Sequence, residues 1–131
     1  MNGQIVILRE APEAWGARLE QAYAAGEIAE LPFTQAAAWA TSKALTGWEA
    51  ARIVALHPSG GWAGAQLLLQ RLPGPLGRLA YAPRAPLVAS VDEAVADSLR
   101  VELLRGLREL RADGVTLVRL EPGSSLVIDP E

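Results

Sequence analysis

The chain has 131 residues, half of them hydrophobic, with 12 basic against 15 acidic side chains and a net charge of −3. A length of this order suits one domain that buries about two-thirds of its unfolded surface; the acidic balance excludes a globally basic nucleic-acid surface, and the absence of cysteine excludes disulfides and thiol chemistry. No stretch approaches the roughly eighteen apolar residues of a membrane span and the N-terminus lacks a basic-then-apolar leader, so we read a soluble, cytoplasmic, single-domain protein over residues 1–131.

Residues 4–8 form a short β-branched apolar run, which predicts a first strand. Pro12 suits the first position of a helix, after which Trp15, Leu19, Ala22 and Tyr23 line one face until Gly26 ends it. A second, alanine-rich helix is expected after Thr34 as N-cap, ending at Gly47. Residues 48–56 and 62–72 are two extended runs on either side of His57-Pro58-Ser59-Gly60-Gly61, the pattern of an antiparallel hairpin whose long apolar second arm belongs at the centre of a sheet. Pro73-Gly74-Pro75-Leu76-Gly77 breaks that arm, and residues 78–81 begin a further strand that Pro83 and Pro86 terminate.

Ser90-Val91-Asp92-Glu93 reads as a capping box with Ser90 as N-cap. Val95, Leu99, Leu103, Leu107 and Leu110 then make one apolar stripe, closed by Asp113-Gly114, which predicts the longest helix. Residues 115–120 are the strand that follows it, parallel to strand 78–81 if the crossover is right-handed. Gly123-Ser124-Ser125 leads into a last short run at 126–128. The order is β-α-α-β-β-β-α-β, an α/β (α+β) arrangement with a mixed sheet, a central antiparallel hairpin and flanking helices. In such sheets ligands collect where strands end and helices begin, and Tyr81-Ala82-Pro83-Arg84-Ala85-Pro86 occupies that place. Each proline fixes its own φ and pushes its predecessor towards extended geometry, so the Arg84 guanidinium is presented on a stiff ledge.

The lone histidine, His57, has no second His or Cys with which to build a zinc or Ser-His site and reads as a solvated turn residue. No residue stands out as a nucleophile or tuned general base, and no metal site is expected. One lysine, Lys43, stands among eleven arginines.

Three segments carry a family likeness: Leu31-Pro32-Phe33-Thr34-Gln35 running to Trp39 and Lys43, the Tyr81 to Pro86 turn, and Leu117-Val118-Arg119-Leu120-Glu121-Pro122. Together they resemble the FemABX peptidoglycan aminoacyltransferases, with their Gln-Ser-x-x-Trp-x-x-x-Lys helix, Tyr-x-Pro-Arg-Gly-Pro turn and Arg-x-x-Pro strand end. The resemblance implies a GNAT-like acyltransferase fold and transfer of an amino acid from aminoacyl-tRNA to an amine of a muropeptide precursor, in cell-wall biogenesis. It implies that Lys43, Tyr81 and Arg84 bind the peptidoglycan precursor, with Gln35, Trp39 and Arg119 in support. Ala36 replaces the usual Ser and Ala85 the usual Gly. Family members pair two such domains, so the chain is expected to match the first, to need a second GNAT-like domain or a homo-oligomeric partner, and to be inactive alone.

Alternatives stay open at single residues. Lys43 either meets a diphosphate or carboxylate or is an ordinary exposed helix lysine; Arg84 either pairs an anion bidentately or anchors its loop to neighbouring carbonyls; Trp39 is expected mainly to pack, and Arg119 and Glu121 to form an ion pair. Other functions are also open, namely a non-catalytic GNAT-like binding module or an N-acyltransferase with an unusual donor site. An acetyl-CoA site of the GNAT kind needs a Gly-rich turn before the long helix, with free N–H groups for the pyrophosphate. The interval from Tyr81 to Ser90 has no glycine and two prolines, so acetyl-CoA is disfavoured and no cofactor is expected.

Overall fold

A six-stranded mixed sheet organises residues 4–90 and 92–121, the residues that the computed structural model describes. Pro122 and the run expected at 126–128 lie outside them. The strands are β1 (Val6–Arg9), β2 (Glu49–Leu56), β3 (Trp62–Arg71), β4 (Arg78–Pro83), β5 (Leu87–Ala89) and β6 (Val115–Glu121). Their order is β1-β2-β3-β4-β6, with β5 paired to β3. β2 and β3 form the expected hairpin, Glu49 opposite Leu69 through Leu56 opposite Trp62. β4 and β6 are parallel across the long helix, as the crossover argument requires.

The strand period assigns the two faces. Ile53, Ala55, Ala63, Ala65, Leu67, Leu69, Ala80 and Ala82 meet the stripe of α3 (Glu93–Leu107), where Leu99, Leu103 and Leu107 are buried, together with Leu110 in the 3₁₀ turn Arg108–Asp113 that prolongs the helix. Gly114, left-handed at φ 83°, ends that turn. The opposite face carries α1 (Pro12–Ala24) and α2 (Ala37–Ala44), with Trp15, Leu19, Ala22, Val54 and Trp62 as its core. Gly64 lies under the Trp15 ring: a Cβ there would come within 2.8 Å of Trp15 Cζ3, so the tryptophan requires the glycine.

Four local expectations are corrected. Tyr23 is half exposed rather than on the buried face of α1, because Ala22 and Leu19 already point at the sheet. The second helix starts at Ala37 after a 3₁₀ turn, Phe33–Gln35, and Thr34 does not cap it: its hydroxyl donates instead to the Pro83 carbonyl, 3.4 Å away. The cap of α3 is Asp92, whose carboxylate accepts from the N–H groups of Ala94 (2.9 Å) and Val95 (3.2 Å), while Ser90 exchanges hydrogen bonds with Asp92. A carboxylate at the helix start gains from the dipole as well as from the hydrogen bonds, which favours it over the hydroxyl two residues earlier. Finally, the chain returns to β3 after the prolines as β5, a strand the sequence pattern did not suggest.

Candidate functional site

β3 changes partners along its length. Its Leu68–Arg71 end pairs with β4 and its Trp62–Gly64 end with β5, and between them the chain leaves β3 at Ala82–Pro86, through a cis Ala85-Pro86 peptide. The Gln66 backbone, in that gap, is satisfied by a side chain. Gln35, fully buried, donates from Nε2 to the Gln66 carbonyl (3.0 Å) and the Pro83 carbonyl (2.9 Å) and accepts from the Gln66 N–H at Oε1 (2.8 Å). Its amide thus replaces one rung of a strand. Gln35, expected in a supporting role, locks its own turn onto the end of β4. The Gln66 side chain extends the network, accepting from Arg52 Nε (2.9 Å) and donating to the Ala36 carbonyl (2.8 Å). Burial lowers the pKa of the Arg52 guanidinium, and the charge of Glu13 opposes that shift.

Tyr81 lies on β4 between Leu68 of β3 and Arg119 of β6, on the face that carries α1 and α2. Its hydroxyl donates to Glu121 Oε1 at 2.5 Å; the other Glu121 oxygen pairs with Arg119 at 2.9 Å, and the Arg119 guanidinium lies 5.8 Å from the Tyr81 ring centre. The hydrogen bond to Glu121 raises the phenol pKa above its ordinary value, burial and the Glu121 charge add to the rise, and Arg119 opposes it. The phenol is protonated at neutral pH, and its one proton is engaged by Glu121. The Arg119–Glu121 pair is as expected, whereas the Tyr81 hydroxyl, expected to be available to a ligand, already has an internal acceptor.

Arg84 takes a left-handed backbone, φ 59°, where the family pattern had pointed to Ala85 as the special position. Its half-exposed guanidinium faces Glu30 at 3.5 Å, a carboxylate rather than the backbone carbonyls of the anchoring alternative. Lys43 lies in the last turn of α2 with Nζ 4.7 Å from the Trp39 ring centre, and Trp39 packs in turn against Phe33, centres 4.9 Å apart and planes tilted by 60°. Trp39 packs as expected, with its buried Nε1–H lacking a partner. Tyr81 and α2 share one face of the sheet, but no hydrogen bond or ion pair joins any two of Lys43, Tyr81 and Arg84 among the described residues. Glu30, Phe33, the buried Gln66 and Glu121 contact Arg84, Trp39, Gln35 and Tyr81 respectively and are not among the expected site residues; only Phe33 and Glu121 lie within the motif segments.

Between Tyr81 and Ser90, Pro83 and Pro86 lack N–H groups, the Ala85 N–H donates to the Glu121 carbonyl (3.0 Å), and β5 pairs with β3. The Asp92 carboxylate fills the N-terminus of α3, where an anion would otherwise be received. After a register shift between Arg78 and Leu79, β4 and β6 pair from Leu79 opposite Leu117 to Pro83 opposite Glu121. Among the described residues no group of three or more His, Asp or Glu side chains can hold a metal, and no helix is long and apolar enough to cross a membrane.

No protein-family model and no curated protein matches the chain. Solved structures do. A putative acetyl transferase from Pyrococcus furiosus aligns with TM-score 0.57 at 15% identity, over 97% of this chain and 85% of that one. An acetyltransferase from Trypanosoma brucei gives 0.54 at 18%, over 98% and 94%. An aminoglycoside acetyltransferase from an uncultured soil metagenomic sample gives 0.59 at 14%, over 98% and 93%. The fold is therefore GNAT-like, that of the acetyltransferases. At such identities the likeness carries the fold alone, and the narrower resemblance to FemABX rests on the three motifs.

Proposed function

We propose that this chain is an N-acyltransferase domain whose donor is an aminoacyl ester rather than acetyl-CoA, and whose acceptor is the amine of a peptidoglycan precursor. The observation that carries the reading is the Asp92 carboxylate on the α3 N-terminus of an acetyltransferase fold: a pyrophosphate brought there would meet a fixed negative charge and spent N–H groups. The aminoacyl donor and muropeptide acceptor follow from the resemblance of the Lys43, Arg84 and Arg119 motifs. In the reaction the acceptor nitrogen attacks the ester carbonyl, the C–N bond forms, the C–O bond to the tRNA ribose breaks, and the amine proton goes to the leaving ribose oxygen. An activated ester needs little covalent help, so the protein supplies positioning and charge.

A second reading, an ordinary acetyl-CoA-dependent N-acetyltransferase, is favoured by the solved structures the chain resembles. Calorimetric titration separates the two. The first expects binding of a nucleotide-linked muramoyl pentapeptide and none of acetyl-CoA at micromolar concentrations; micromolar acetyl-CoA affinity supports the second.

A further inference from the structure

Arg52 is the one charged side chain that is buried among the described residues, 7% exposed, and no carboxylate touches it. It takes part in none of their ion pairs. Glu13, exposed in the first turn of α1, acts on it only through space. The Arg52 Nε–H donates to Gln66 Oε1 at 2.9 Å, and its terminal Nη1 and Nη2 groups meet no acceptor among the described residues. A guanidinium taken out of water with one N–H matched and no counter-ion destabilises the fold, and an anion in contact with it would remove that cost.

The same corner holds a second set of unmatched donors. Ala36 stands in the N-cap position of α2 with an extended backbone, φ −71° and ψ 144°, and has no side-chain oxygen to cap it. Its own N–H donates to the Phe33 carbonyl and the Trp39 N–H donates to the Ala36 carbonyl, which leaves the N–H groups of Ala37 and Ala38 without an acceptor among the described residues. One side chain joins the two features. Gln66 lies opposite Arg52 in the hairpin, accepts from its Nε and donates from Nε2 to the Ala36 carbonyl at 2.8 Å. A buried cation and an uncapped helix start, bridged by a single amide, both draw negative charge to one place.

We propose that Arg52 and the start of α2 form a binding site for one oxyanion group, a carboxylate or a phosphate, whose oxygens supply the acceptors that both lack. The site is independent of the donor and acceptor assigned above. A planar guanidinium takes the paired oxygens of either anion, so the two sources share one chemistry.

The test titrates the whole chain with sodium acetate and, separately, with inorganic phosphate at constant ionic strength, following the Arg52 Nε–H and the amides of Ala37 and Ala38 by NMR. At least one anion should move all three signals along a single saturating curve, and the one that does so identifies the source. R52Q should weaken that anion at least about tenfold, the loss of a charge-assisted contact. A36S, which supplies the missing cap, should weaken it about threefold or more. The saturating anion should raise the melting temperature of the wild type and leave that of R52Q unchanged. Near-UV circular dichroism checks that each variant folds; if R52Q does not, R52K keeps the charge without the planar fork and must still weaken the anion. Arg52 unmoved by both anions, shifts that climb without saturating, or Ala37 and Ala38 responding alone overturns the site. So does an affinity unchanged by A36S or by the Arg52 variant, or an equal rise in melting temperature in wild type and R52Q.

Discussion

Gln35 shows how much one side chain can carry. It satisfies three backbone groups where β3 has lost its strand partner, so a Gln35→Leu change leaves the Gln66 N–H and carbonyl without their partner and the Pro83 carbonyl with only the 3.4 Å Thr34 hydroxyl. At about 1–3 kcal/mol for each unsatisfied buried group, with partial relaxation, urea denaturation should show a loss of about 2–4 kcal/mol. Gln35→Glu should be no better, because a carboxylate cannot donate to the Gln66 and Pro83 carbonyls. Tyr81 makes a second prediction at this scale. Its folded pKa is raised, chiefly by the hydrogen bond to Glu121, so the stabilisation it lends is fully present below the unfolded value of about 10 and is lost as pH rises through the folded value. In a Tyr23→Phe background the phenolate absorbance at 295 nm should rise above pH 10, and Glu121→Gln should move that rise downward. A midpoint unmoved by Glu121→Gln would mean that the hydrogen bond does not govern the phenol.

At the scale of the element, α3 was legible in its stripe and misread in its cap. Periodicity depends only on local spacing and survives any tertiary context, so Leu99, Leu103 and Leu107 were found directly. The choice between Ser90 and Asp92 as cap turns on where the backbone leaves β5, which no local pattern encodes. Asp92→Ala should lower stability by about 1 kcal/mol in denaturant melts, the usual cost of a lost cap, and Ser90→Ala by clearly less. The opposite ranking would restore the capping box. In the proposed function the same carboxylate disfavours a phosphate at the helix N-terminus, which ties an element-scale detail to the proposed donor.

At the scale of the whole molecule, two cores lie on opposite faces of one sheet and share its strands. Trp15 and Trp62 report on the face of α1, whereas Leu103 is buried under α3. Leu103→Ala should cost about 2–5 kcal/mol. If the sheet couples the faces, tryptophan fluorescence and far-ultraviolet circular dichroism must shift to the same lower midpoint. Separate midpoints would mean that the faces unfold independently.

Sequence alone determined the alternation of elements apart from β5, the central hairpin, the parallel pairing of the strands on either side of α3 and the lack of a glycine cradle, because each follows from local spacing, turn chemistry or composition. It also brought forward Arg84 and Tyr81 as residues on a stiff turn. Tertiary structure decided what those residues meet. Glu121 lies on another strand from the Tyr81 it accepts from, Glu30 comes from the loop after α1, and the rung that Gln35 supplies exists only because β4 leaves β3 beside it. Contacts between residues far apart in the chain depend on the packed geometry of the sheet, and no pattern along the chain states that geometry.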